Sequence, residues 1–228
     1  MSRSLILFDI DGTLVSGCGE GIEPFVRAIR DVSGIRIAAG FHDTAGKTDR
    51  LILRELLQHQ GVTPEQTEEA RMLRRYLEHV RALILEKPGR ILPGVRMFLQ
   101  RLGREEHFNI GLGTGNLEAA ARLKLRLHGL DEFFETGGFG DDALYRKDVI
   151  AAGIRKAQRR YGIDFERVIV VGDTPRDIEA SKAIGVYSVA VATGSYLFSE
   201  LRTHNPTILI RDMSEPEMII EQLQSKAR

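Results

Sequence analysis

Residues 5–21 read LILFDIDGTLVSGCGEG, four apolar side chains from Leu5 to Phe8 running straight into Asp9, Ile10, Asp11 and Gly12. A short run that is apolar on both faces and ends in polar residues and glycine is the pattern of a parallel strand covered by helices on both sides. With residues 4–10 as the first such strand, the pattern recurs at 108–113 (FNIGLG), 167–171 (RVIVV), 186–191 (VYSVAV) and 207–210 (TILI). Helical periodicity fills the gaps at 94–103, 116–128, 147–161, 175–184 and 214–225. The alternation predicts an α/β fold with a doubly wound parallel sheet, in which ligands gather at the carboxyl ends of the strands.

One interval breaks the alternation. Between the first strand and ILPGV at 91–95 the chain reads almost entirely as helix, with segments at about 22–32 and 47–59 and a third beginning at Thr63-Pro64-Glu65-Gln66. That third start offers an N-cap, a proline at the first helical position and a capping-box glutamine. Leu73, Tyr76, Leu77, Val80 and Ile84 then form one apolar stripe. The organisation expected is a core of residues 1–15 and 92–228 with a small helical domain, 16–91, inserted after the first strand. Glycine in both connectors, and two prolines in Lys87–Pro93, suit them to act as hinges.

Composition narrows the class. The chain has 228 residues, 43% hydrophobic and 28% charged, which fits a globular domain with an ordinary surface. A formal net charge of zero gives no footprint for nucleic acid or an anionic membrane. The single cysteine, Cys18, excludes an internal disulfide framework and suits a reducing compartment. No apolar run approaches the roughly 18 residues of a membrane span, and Met1–Ser4 is too short for the charged start of a signal peptide. A cytoplasmic protein is expected. Nothing in the sequence separates a monomer from a homodimer.

The strand ends carry the chemistry. Asp9, Asp11 and Thr13 follow the first strand, Thr114, Gly115 and Asn116 the second, and Gly172, Asp173, Thr174 and Asp177 the third. In a parallel sheet these ends lie along one edge, so acids from different strands converge. Such convergence is unfavourable unless a cation neutralises it, and carboxylates without clustered His or Cys favour Mg²⁺. Mg²⁺ in such sites joins one or two carboxylates to a phosphate, so a phosphorylated substrate is the natural partner. Each aspartate alone would read as a helix cap or turn residue, but three clusters at three strand ends do not.

FDIDGTL at 8–14, GLGTGN at 111–116, a basic residue in YRKD at 145–148 and VVGDTPRDIEASKAIG at 170–185 resemble, in order, the motifs of the haloacid dehalogenase superfamily of hydrolases. The helical insert stands where that superfamily places its C1 cap, and the resemblance implies a Rossmann-like core. It implies that Asp9 is the nucleophile, forming an aspartyl-phosphate, and that Asp11 is the general acid and then the base. It further implies Mg²⁺ held by Asp9, the Asp11 carbonyl and Asp173 with support from Asp177, and phosphoryl oxygens bound by Thr114, Gly115 and Asn116. The third-motif cation is left between Arg146 and Lys147, which point in different directions on a helix. Because Asp11 is retained, the resemblance favours a phosphatase of the phosphoglycolate phosphatase type over a dehalogenase, with a β-phosphoglucomutase-type phosphomutase as the alternative. A silent binding protein on the same fold would be expected to have lost Asp9 or Asp11.

DTAGKTDRLIL at 43–53 occupies the position of the cap loop that meets the leaving group in C1-capped relatives. Either Lys47, Thr48, Asp49 and Arg50 meet a polar or anionic leaving group of a small substrate there, or Thr48 or Asp49 caps the next helix while Lys47 and Arg50 are solvated. AGKT is not a phosphate-binding P-loop, since the glycine required five positions before Gly46 is Phe41. GLGTGN lacks the last glycine of a dinucleotide fingerprint. Cys18 reads as a small loop residue and His42 as a surface residue near the cap loop.

Overall fold

The computed structural model describes residues 3–19, 21–37 and 43–225. Phe41 and His42 lie outside them.

β1 (Ser4–Phe8), buried along its whole length, sits in the middle of a six-stranded sheet. It pairs in parallel with β4 (Phe108–Gly113) on one side and β6 (Arg167–Gly172) on the other, with Phe8 opposite Leu112 and Val171. β5 (Gly137–Gly138) lies outside β4, and β7 (Tyr187–Val191) and β8 (Ile208–Ile210) extend the sheet beyond β6, all in parallel. The chain therefore leaves β1 toward one edge and returns to its other side. This reversal opens a crevice at the carboxyl ends of β1, β4 and β6.

The core helices are α4 (Val95–Leu102), α5 (Glu118–Leu127), α6 (Arg146–Tyr161), α7 (Pro175–Ala183), α8 (Phe198–Thr203) and α9 (Pro216–Ser225). Phe8 packs edge-on against Phe98 and Phe134 on one face of the sheet, while Leu5 and Leu7 pack with Ile150 and Val170 on the other. Between β1 and α4 lie β2 (Val15–Ser16), α1 (Glu23–Ser33), α2 (Asp49–Gln58), α3 (Gln66–Glu86) and β3 (Arg90–Ile91). β2 and β3 pair antiparallel, Val15 with Ile91 and Ser16 with Arg90, so the two connectors of the helical insert form one ribbon.

Several expectations need correction in detail. β1 stops at Phe8 rather than residue 10, because the chain turns at once, with the amides of Leu14 and Val15 both bonding the Ile10 carbonyl. α3 begins at Gln66, with Glu65 at its N-cap position and no side-chain cap, so Thr63 and Pro64 belong to the preceding irregular connection. Its buried stripe is Met72, Tyr76, Val80 and Ile84, with Leu73 and Leu77 only partly covered. The elements not anticipated are the short ones: β2, β3, β5, α8 and a single 3-10 turn at Asp131–Phe133.

Candidate active site

Just past β1, the Asp9 amide still bonds Val171 O of the neighbouring strand at 2.9 Å, which holds the buried Asp9 side chain at the sheet edge. The turn that follows lifts Asp11 outward, leaving its side chain 26% exposed to the crevice. Thr13 Oγ1 donates to Asp173 Oδ1 at 3.0 Å, tying the first strand end to the third. The Asp173 carboxylate lies in a cradle of two glycines: a Cβ at Gly12, where φ is +77°, would come within 2.3 Å of Oδ2, and one at Gly194 within 1.8 Å.

Beyond Asp173, α7 starts with a capping box. Thr174 Oγ1 accepts from the Asp177 amide at 3.3 Å, and Asp177 Oδ2 accepts from the Thr174 amide at 3.1 Å and its hydroxyl at 2.7 Å. Asp177 thus caps its helix and also faces the other acids. Carboxylate oxygens of Asp9, Asp173 and Asp177 lie within 4.8 Å of one another.

Arg146, at the start of α6, is the cation that meets this cluster. Its Nη2 lies 3.0 Å from Asp9 Oδ1 and 2.6 Å from Asp177 Oδ1. Lys147 is exposed and does not line the crevice, so of the two basic residues the structure brings only Arg146 to Asp9. Burial opposes the guanidinium's charge, but Asp177 and Asp9 more than offset it and hold its pKa above the ordinary value. Burial pushes the Asp9 carboxyl up to about 6, with Asp177 and Asp11 adding to the rise against the pull of Arg146. Burial, then Asp9 and Asp177, push Asp173 well above the usual carboxylate range. One guanidinium is too little for three buried acids, and hard, desolvated, convergent oxygens are a donor set that fits a divalent cation. Arg146 Nε also has no partner among the described residues, leaving an N–H beside the crevice.

At the end of β4, Thr114 is fully buried, and its hydroxyl accepts from the Asn116 amide at 3.3 Å and Nδ2 at 3.0 Å. Asn116 Nδ2 also donates to Asp11 Oδ2 at 2.8 Å. Gly115 is where the insert touches down. Its carbonyl accepts the Asp49 amide at 2.9 Å, and a Cβ on it would come within 2.1 Å of Lys47 O.

Of the loop at 43–53, Thr48 is the helix cap, accepting from the Leu51 amide at 3.2 Å while donating to Leu144 O at 2.6 Å. Lys47 lines the crevice and pairs with Glu55 at 2.6 Å. Arg50 does not line it, because Glu69 holds Arg50 at 3.1 Å and Arg54 at 2.7 Å within the insert.

Asp49, expected at the leaving group or as the cap of its own helix, bonds the start of a different helix, and Lys124 was not singled out in the sequence. Asp49 is buried and accepts the Leu117 amide at 2.8 Å, closing the start of α5 from across the seam; burial raises its carboxyl to about 7 against that N–H and the nearby Lys124. Lys124, in α5, places Nζ 2.8 and 2.6 Å from the two Asp11 oxygens and 2.9 Å from Asn116 Oδ1. A signal for it existed: Leu117, Ala120, Ala121 and Lys124 follow the i, i+3, i+4, i+7 spacing of a buried face.

Core and insert enclose a cavity of about 520 Å³. Asp9, Asp11, Arg146, Asp173 and Lys124 form its floor; Lys47, Asp49, Ile52 and the stacked rings of Phe25 and Tyr76, 3.9 Å between centroids, form its roof. The volume suits a small molecule. At the seam, Arg176 of α7 clamps Asp43, Nη2 to Oδ2 at 2.5 Å, and donates to Ala45 O at 2.6 Å. Among the described residues no helix is long and apolar enough to cross a membrane.

This combination of sheet, insert and acidic edge defines a hydrolase class, and the profile of the haloacid dehalogenase-like hydrolases matches residues 4–185: the chain belongs to that family and is an enzyme of its phosphatase type. It is 27% identical over 221 residues to a probable phosphatase, IndB, of Dickeya dadantii, covering 93% of this chain and 91% of the relative. It is 27% identical over 211 residues to a phosphoglycolate phosphatase of Mesorhizobium japonicum, covering 92% and 91%. The fold matches a crystal structure of a predicted phosphoglycolate phosphatase from Haemophilus somnus with a TM-score of 0.69 at 18% identity, over 96% of this chain and 99% of that one.

Proposed function

We propose that this protein is a Mg²⁺-dependent phosphatase that hydrolyses a small phosphomonoester through an aspartyl-phosphate on Asp9. The observation that carries the reading is the division of labour between the two aspartates. Asp9 is buried beside Arg146 and the other acids, while Asp11, two residues on, is turned into the cavity. A carboxylate oxygen of Asp9 attacks phosphorus, and the bond to the leaving oxygen breaks as Asp11 gives that oxygen its proton. Water then attacks phosphorus and passes a proton to Asp11, and the bond to Asp9 breaks, restoring both carboxyls. Thr114 and the Gly115 amide bind the phosphoryl oxygens, with Asn116 beside them and Arg146 offsetting their charge. Asp9, Asp173 and the Asp11 carbonyl would hold the metal, with Asp177 in support because both its oxygens already accept protein hydrogen bonds. When bound, Mg²⁺ supplies the positive charge that lets the acids and a phosphate share the site.

In this reading residues 16–91 are a cap that closes on a core of 1–15 and 92–228, excluding water and selecting small substrates. The lone cysteine and the absence of a long apolar helix among the described residues fit a cytoplasmic enzyme. Hydrolysis is favoured over a phosphomutase because Lys47 and Arg50 are engaged by Glu55 and Glu69 rather than presented as a sugar-phosphate clamp. The test is Mg²⁺-dependent phosphate release and phosphoenzyme trapping across phosphoglycolate, sugar phosphates, nucleotides and pyrophosphate, with isomerised product monitored alongside. Asp9→Asn should abolish both signals; undiminished phosphate release from that variant would remove Asp9 as nucleophile, and isomerised product would replace the phosphatase with a mutase.

A further inference from the structure

Lys124 lies on the inward face of α5, ten residues after Thr114, and only 2% of it is exposed. A lysine in such a place must have its charge and its N–H groups satisfied, or the burial is strongly unfavourable. Here the match is complete: the ammonium has three N–H groups and three acceptors, Asp11 Oδ1, Asp11 Oδ2 and Asn116 Oδ1. No N–H is left for a ligand, so whatever Lys124 contributes passes through its partners.

Those partners form a chain. Asn116 Nδ2 donates both to Asp11 Oδ2 and to Thr114 Oγ1, so Lys124, Asp11, Asn116 and Thr114 are linked from α5 to the buried end of β4. Asp11 has little else to fix it. It stands on a turn outside the sheet, its backbone making one isolated bridge to Val15, and its side chain is partly exposed to the cavity. On the other side, the insert's Asp49 bonds the Leu117 amide just before α5, the helix that carries Lys124. The helix that orients Asp11 is thus also a contact point of the insert.

We propose that Lys124 is the positioning residue of Asp11, holding the carboxyl toward the leaving-group side of the cavity, so that leaving-group protonation depends on it. The proposal rests on the phosphatase reading above. It separates Lys124 from Arg146: the guanidinium serves the nucleophile's side of the site, and the ammonium serves the acid's side.

The experiment compares wild type, Lys124→Met and Lys124→Arg at saturating Mg²⁺ on phosphate esters of graded leaving-group basicity, from p-nitrophenyl phosphate to simple alkyl phosphates. kcat/KM reports the steps up to phosphoenzyme formation. Mispositioning of an acid is felt where the leaving group needs a proton, so Lys124→Met should lose roughly 100-fold or more on alkyl phosphates and about 10-fold less than that on the nitrophenyl ester. Lys124→Arg, which keeps the charge but not the compact three-way geometry, should show the same selectivity in milder form. In an Asp11→Asn background Lys124→Met should cause little further loss. Equal loss on every substrate, or an additive loss in that background, would show a merely structural lysine and overturn the proposal. Should Lys124→Met fail to fold, Lys124→Arg decides, and an unchanged leaving-group dependence refutes it. If the wild type forms no phosphoenzyme, the phosphatase reading itself fails; a wild type that forms one, beside variants without selectivity, sinks only the assignment of Lys124.

Discussion

Asp49 offers the clearest test of the electrostatics because it is absent from the acid cluster at the sheet edge and yet is buried with its carboxyl raised from 3.8 to about 7. Below pH 4 the group is neutral in the folded and unfolded chains alike and burying it carries no charge penalty. As pH rises the unfolded chain ionises first, so the folded state progressively loses stability until its own carboxyl ionises near 7. Asp49→Asn does not titrate, and its amide oxygen can still accept the Leu117 N–H. Relative to wild type the variant should therefore gain stability across this window. Between pH 5 and pH 8 the folded carboxyl is crossed over about 2 pH units at ~1.4 kcal/mol each, so the gap should widen by on the order of 2–3 kcal/mol. Other titrating groups are common to both chains and cancel in the difference. Urea unfolding of both proteins at pH 5 and pH 8, without added metal, measures it. A gap that stays constant, or that closes with rising pH, would refute the claim that burial governs Asp49.

Further outcomes are expected elsewhere in the site. Arg146→Ala leaves Asp9 and Asp177 buried without their guanidinium and should destabilise the metal-free protein by about 3–5 kcal/mol in urea melts, whereas Lys147→Ala should stay within ~0.5 kcal/mol. Asp173→Asn should weaken Mg²⁺ binding by calorimetry while raising metal-free stability progressively as pH rises above the ordinary carboxylate range, since it removes a carboxylate that burial disfavours. Gly115→Ala meets the Lys47 carbonyl, which cannot move without shifting α2; proteolysis of the loop at 43–49 should accelerate, and an unchanged cleavage rate would contradict the tight seam. Arg176→Ala removes the clamp on Asp43 and should loosen the same loop, read as faster amide exchange around Asp43–Ala45.

Much of this was legible in the chain because the strongest signals are periodic or closely spaced. β4 was readable to the residue, and the acids at the ends of β1 and β6 follow directly from strands that run apolar to their last position. What escaped depends on contacts between distant segments. β5 consists of two glycines with no strand propensity, and it forms because β4 supplies the pairing. The choice between Arg146 and Lys147 rests on the phase of α6 against the sheet, which neighbouring positions in a sequence do not encode. Lys124 joins Asp11 across 113 residues of chain, and Asp49 joins Leu117 across 68. Thr48 shows the reverse case: its local role as a helix cap was readable, while its bond to Leu144 was not.

The pairing of β2 with β3 has a consequence for how such a chain can be rebuilt. Since Val15 lies opposite Ile91 and Ser16 opposite Arg90, the 73 residues between Ser16 and Arg90 leave and rejoin the core at a single point. Segments whose ends meet are the ones proteins exchange most readily, because the host sees only a short graft junction. A differently sized helical bundle, or a plain turn, spliced onto that ribbon would leave the register of β1 with β4 and β6 intact. The acidic floor of the cavity and its helical roof are in this sense separable parts, and transplanting roofs between floors is a practical route to changing what the cavity admits.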